Sequence, residues 1–171
     1  ADPAAEHAAD FADAARRHRG DGRRRQALRA QSVQLQRVQR PVVAECTRER
    51  GEVQRVVFDR PIGQNQAIQH PLAESWAELE AAHLMAFRAA SLYDRKLPCG
   101  PQANAAKYLA AEAAVKCCQT AMLTHGGFGY AKEYHVERYL REALVLRIAP
   151  ISPHLILSNI AEKVLGLPKS Y

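Results

Sequence analysis

The chain has 171 residues, 47% of them hydrophobic, with a formal net charge of +6, a length and composition that suit one domain with a real core plus a tail. No apolar run reaches the length of a bilayer span, and aspartates and arginines stand where a secretory signal has its apolar stretch, so a cytoplasmic protein is the expectation. Cys46, Cys99, Cys117 and Cys118 have neither Cys-x-x-Cys spacing nor the density of a disulfide scaffold, and the seven histidines form no His-x-x-x-His pair, so reduced thiols and no metal site are expected.

Residues 1–50 read as a separate arginine-rich segment. Residues 1–60 hold thirteen Arg, no Lys and nine acidic residues, whereas every lysine lies at or after Lys96. Arg16, Arg17, Arg19, Arg23, Arg24, Arg25 and Arg29 crowd one stretch that can bind an anionic partner. No aromatic residue accompanies them to stack on bases, so nucleic acid is not an expected partner. The apolar spacing fits neither a helix nor a strand for long. Two readings stay open: a solvated arm, or an out-of-frame or wrongly joined translation, since GC-rich codons read in a shifted frame yield arginine without lysine.

From Gln64 the spacing predicts a helix to about Tyr93, with Ile68, Leu72, Trp76, Leu79, His83, Ala86 and Ala90 on one apolar face and Pro71 tolerable in the first turns. Leu97 to Pro101 is a predicted loop. Asn104 is the expected cap of a second helix ending at Gly126, in which Leu109, Ala113, Cys117 and Ala121 form a stripe that lets neighbouring helices approach closely. A third helix is predicted from Val136 to Leu146. After the break at Ile148 to Pro153, Ser152 as N-cap and Pro153 at the first helical position open a fourth, which Gly166 stops. The expected fold class is all-α: an antiparallel four-helix bundle over residues 51–171, preceded by a poorly ordered or irregular segment over residues 1–50.

Between the second and third helices runs Leu123-Thr124-His125-Gly126-Gly127-Phe128-Gly129-Tyr130. Three glycines in four positions break the helical pattern, permit φ > 0 and bring backbone N–H groups to a helix start, which suits an anionic group such as a pyrophosphate. The same string also fits a plain helix C-cap joining two core helices.

Followed by Glu133-Tyr134, Val136-Glu137-Arg138-Tyr139 and Arg141-Glu142, and preceded by Arg55-Val56-Val57-Phe58-Asp59-Arg60-Pro61-Ile62-Gly63-Gln64-Asn65-Gln66-Ala67-Ile68-Gln69-His70, this string resembles the acyl-CoA dehydrogenase family from about Arg55 to Tyr171. The resemblance implies a C-terminal helical domain that is the platform for dimer or tetramer assembly, and α,β-dehydrogenation of acyl-CoA thioesters with FAD and an electron-transfer acceptor. It implies that Arg55 reaches the pyrophosphate of an FAD held mainly by a neighbouring subunit, that Phe58 packs on that cofactor, and that Gln66 lies near its adenine. Gly126 and Gly127 would be backbone donors to the same flavin. Ser152 and His154 would add contacts, although Ser152 also reads simply as an N-cap.

Two positions depart from the family's pattern. Leu123 stands where a glutamine is common three residues before Gly-Gly, and Pro150 stands where many members carry the glutamate that removes the α-proton. The other family location of that glutamate falls near Arg29, and residues 22–44 contain no Asp or Glu. No catalytic residue is therefore assigned. The family's N-terminal helical and central β-domains have no counterpart in the sequence, so the isolated chain is expected to be inactive. The alternative is a non-enzymatic helical oligomerisation module with an anion-binding arginine-rich arm.

Overall fold

The computed structural model describes residues 52–170, and the expectations for residues 1–50 lie outside them. After a 3-10 turn at Glu52–Gln54, Val56–Val57 (β1) pairs antiparallel with Arg60–Pro61 (β2), Val57 opposite Arg60. The two residues between the strands, Phe58 at φ 53° and Asp59 at φ 60°, make the type I′ turn that matches strand twist. Strands of two residues carry no alternation for spacing to reveal, so the expected all-α class had no place for them. A second 3-10 turn, Ile62–Gln64, leads into the bundle.

Helix α1 runs Gln66–Asp94, with Pro71 in its second turn. Its buried residues are Ser75, Leu79, Ala82 and Ala89; Leu79 lies where it was expected and Leu72 packs on the core, whereas Ser75, Ala82 and Ala89 each stand one position before an expected residue, and Trp76 is 58% exposed. Size explains the shift. The buried residues of helix α2, Gly100–His125, are mostly small, Ala106, Ala110, Ala113, Ala114, Cys117, Cys118 and Ala121, and small residues let neighbouring helices approach closely and leave little room for an indole between them. Leu109, expected within that surface, lies off it and is exposed.

The start of α2 corrects two expectations. Gly100 and Pro101 belong to the helix, because proline's fixed φ suits the first turn and its missing N–H is not needed there. Asn104 is consequently inside the helix and caps nothing; its amide donates to Asn159 Oδ1 at 2.9 Å. Burial in this surface pushes the Cys117 thiol up to about 11, which keeps it protonated and unreactive near neutral pH.

The chain reverses through a single turn of helix, α3 (Gly127–Tyr130), and a 3-10 turn, Lys132–Tyr134, before α4 (Val136–Ile148) and α5 (Pro153–Lys163). Pairs along α2 fix the directions. Ser75 meets Thr120 and Glu78 meets Lys116 from α1, while Arg147 meets Glu112 and Tyr134 meets His125 on the other side. Both neighbours thus run antiparallel to α2, which is the central member of the expected bundle. Val136, Ala143 and Ile156 complete the buried core from α4 and α5.

The stretch Val136–Lys163 is long and apolar enough by composition to cross a membrane, contrary to the expectation that no run is. The break after Ile148 divides it into helices of 13 and 11 residues, about 20 and 17 Å long against the roughly 30 Å of a hydrocarbon core.

Candidate functional site

The two stretches that the sequence singled out meet at the end of α2. Arg55, just before β1, is half-buried; its carbonyl accepts the Ile62 N–H at 2.9 Å, and its guanidinium carbon lies 5.8 Å from the centre of the Phe128 ring. Phe128 stacks on Tyr134 at 5.1 Å, and Tyr134 meets the buried His125 edge-on at 6.3 Å. His125 Nδ1 is 2.8 Å from the Ala121 carbonyl oxygen. A carbonyl only accepts, so Nδ1 carries the proton and the imidazole is fixed to the last turn of α2.

The three glycines of the turn do different things. Gly126 has φ 60° and ψ −132°, a conformation that side chains disfavour, and its N–H is engaged by the Met122 and Leu123 carbonyls at 3.1 and 3.2 Å. Gly126 therefore supplies the bend, not a donor pointing outward. Gly127 opens α3, so its N–H has no acceptor within its own helix, and a Cβ added there would meet nothing within 4 Å. At Gly129 a Cβ would stand 2.5 Å from the Met122 carbonyl oxygen, so this glycine permits close packing of the turn on α2.

The other predicted residues fall into two groups. Phe58 projects from the hairpin tip with 94% of its surface exposed, and Gln66 is exposed in the first turn of α1. The junction beneath them is tied down: Arg60 donates to Asn65 Oδ1 at 2.6 Å, Asn65 Nδ2 to the Ile62 carbonyl at 3.0 Å, and Gln69 Nε2 to the Gly63 carbonyl at 2.8 Å. An open groove of about 400 Å3 lies beside the hairpin, between Val53, Gln54, Pro61, Gly63 and Gln64 on one side and Ile68, Gln69 and Leu72 on the other.

Ser152 stands apart. Its Oγ accepts the Leu155 N–H at 3.4 Å as the N-cap of α5, and the preceding Ile151 carbonyl is held by Lys107, nineteen residues before Gly126 on α2. At 1.5 Å per residue that is about 28 Å from the glycine turn, so Ser152 and the Arg55 cluster do not share one site. Pro150 is exposed between α4 and α5 and offers no proton acceptor. Leu123, the other departure, is 82% exposed. Among the described residues no cluster of His, Cys, Asp or Glu could hold a metal ion.

Sequence reasoning missed the aromatic stack. Phe128 is the unspecified residue of Gly-Gly-x-Gly, and nothing in the spacing places Tyr134 against it, because their contact depends on the 3-10 turn that folds the chain back.

This geometry defines an all-α domain in which a half-buried arginine, a glycine turn and an aromatic pair meet at one end of the central helix, with the Phe58 ring exposed on the hairpin nearby. A family profile described as acyl-CoA dehydrogenase, C-terminal domain, matches residues 52–164. Acyl-CoA dehydrogenase FadE12 of Mycobacterium tuberculosis (strain H37Rv) is 44% identical over 119 residues, covering 68% of this chain and 31% of that protein. The structure of a glutaryl-coenzyme A dehydrogenase in complex with glutaryl-CoA superposes with a TM-score of 0.71 at 32% identity, over 88% of this chain and 37% of the other. Butyryl-CoA dehydrogenase from Megasphaera elsdenii gives 0.69 at 28% identity, over 74% and 33%. The chain belongs to the acyl-CoA dehydrogenase family, and residues 52–164 are its C-terminal helical domain. It spans about a third of the length of the FadE12 protein it matches.

Proposed function

We propose that this chain serves FAD-dependent α,β-dehydrogenation of acyl-CoA thioesters by contributing the neighbouring subunit's side of the flavin site within a homo-oligomer. The observation that carries the reading is the convergence of Arg55 with the glycine turn, seventy-one residues further on at Gly126, across the Phe128 ring. FAD, held by Arg55, Gly127, Phe58 and Gln66 on this side, would supply the hydride-accepting chemistry when bound.

The chain's own residues bind and orient. Arg55 holds the pyrophosphate, since a planar guanidinium donates two parallel charge-assisted bonds to phosphate oxygens. Gly127 adds a backbone N–H, with Gly126 setting its direction. Phe58 covers the cofactor from the hairpin tip, which is why a phenyl ring can stand 94% exposed in the isolated chain. Gln66 is the polar contact on the adenine side. Ser152 is left to its cap. Among the described residues, the family's usual position for the base that removes the α-proton is occupied by Pro150, which has no proton acceptor.

In the test, the purified chain is expected to be colourless and inactive on saturated acyl-CoA. It should bind added FAD saturably with a Kd below about 1 mM, and Arg55→Met should weaken that binding about ten-fold. FAD affinity indifferent to Arg55→Met would overturn the proposal. A yellow protein that turns over acyl-CoA unaided would show that the chain holds far more of the site than one side.

A further inference from the structure

We infer that Phe128 is a positioning residue, whose ring holds the Arg55 guanidinium in register with the Gly127 N–H. The inference rests on the flavin reading above and adds the device that orients its arginine. An arginine has a long flexible stem, and a guanidinium that must meet a phosphate edge-on binds weakly when it has first to be ordered. A ring beneath it restricts that freedom without competing for the ligand, because the ring attracts the face of the cation while its N–H groups donate in the plane.

The Phe128 ring is itself fixed. Its backbone lies in the turn of helix that Gly129 lets pack against the Met122 carbonyl, where no Cβ fits. The ring stacks on Tyr134 at 5.1 Å, Tyr134 meets His125 at 6.3 Å, and His125 is bonded through Nδ1–H to the Ala121 carbonyl of α2. The row Arg55, Phe128, Tyr134, His125 thus runs from the hairpin segment to the backbone of the central helix. It ties together the two halves of the anion contact, which belong to stretches far apart in the sequence.

The experiment uses the full chain, titrated with FAD while the Arg55 side-chain Nε–Hε resonance is followed by NMR. In the wild type that resonance carries an upfield ring-current shift. Phe128→Leu should abolish the shift and weaken FAD about five-fold, and Phe128→Tyr should restore both. In an Arg55→Met background, Phe128→Leu should cause no further loss, which a purely structural role of the ring would not predict. Tyr134→Leu, which leaves Phe128 in place, should reproduce a smaller loss and keeps the test open where Phe128→Leu does not fold. The inference is overturned when FAD affinity survives Phe128→Leu unchanged, or when affinity falls equally in the Arg55→Met background. An Arg55→Met variant that binds FAD as the wild type does overturns the flavin reading, and the inference with it.

Discussion

At the scale of single residues, three glycines that look alike in the sequence have three separate physical reasons. Gly126 needs its positive φ, Gly129 needs the missing Cβ, and Gly127 needs neither for folding, since the space beside it is open. Gly126→Ala and Gly129→Ala should each lower the unfolding free energy by about 1–3 kcal/mol. Gly127→Ala should leave the denaturation midpoint unchanged while weakening FAD, because only an approaching ligand would meet the new methyl group. Urea titration of the three variants, with FAD titration of the third, checks this. A Gly127→Ala variant as unstable as the other two would show that the turn is built for packing alone.

At the scale of elements, the helices were legible because apolar residues recur at helical spacing over many turns, and their boundaries came within a few residues. What failed were features that depend on volume or on a partner's shape. On α1, Leu72 and Leu79 face the core as expected, but hydropathy favours Trp76 where the small-residue surface of α2 accepts Ser75 instead. The start of α2 was misplaced because Asn104 resembles a cap while Pro101 had already opened the helix. Of the candidate site, Arg55 and the glycine turn were legible as motifs, but the ring joining them was not, since Phe128 meets Tyr134 only once the intervening turn is folded. Ser152 was open to two readings, and its contact with the Leu155 N–H supports the N-cap. Ser152→Ala should cost about 0.5–1 kcal/mol of stability through the lost cap and leave FAD affinity as it was, and a loss of affinity equal to that of Arg55→Met would reverse the assignment.

At the scale of the whole molecule, α4 and α5 leave Val145, Ile148, Leu155 and Leu157 exposed, and α1 adds Leu84 and Phe87. An apolar surface of this extent suits covering by other parts of an assembly. The hairpin tip gives that assembly a thermodynamic consequence. Phe58 turns away from its own chain, so under the proposed function the ring finds its place only against a cofactor carried by another molecule. Whatever favours the second molecule then favours the cofactor, and linkage makes the relation reciprocal. Adding FAD should raise the sedimentation coefficient of the chain at fixed concentration, Phe58→Ser should remove that increase, and simple dilution should release flavin without any change of solvent. Identical sedimentation with and without saturating FAD would mean that binding and assembly are independent, and that a flavin here is held within one molecule.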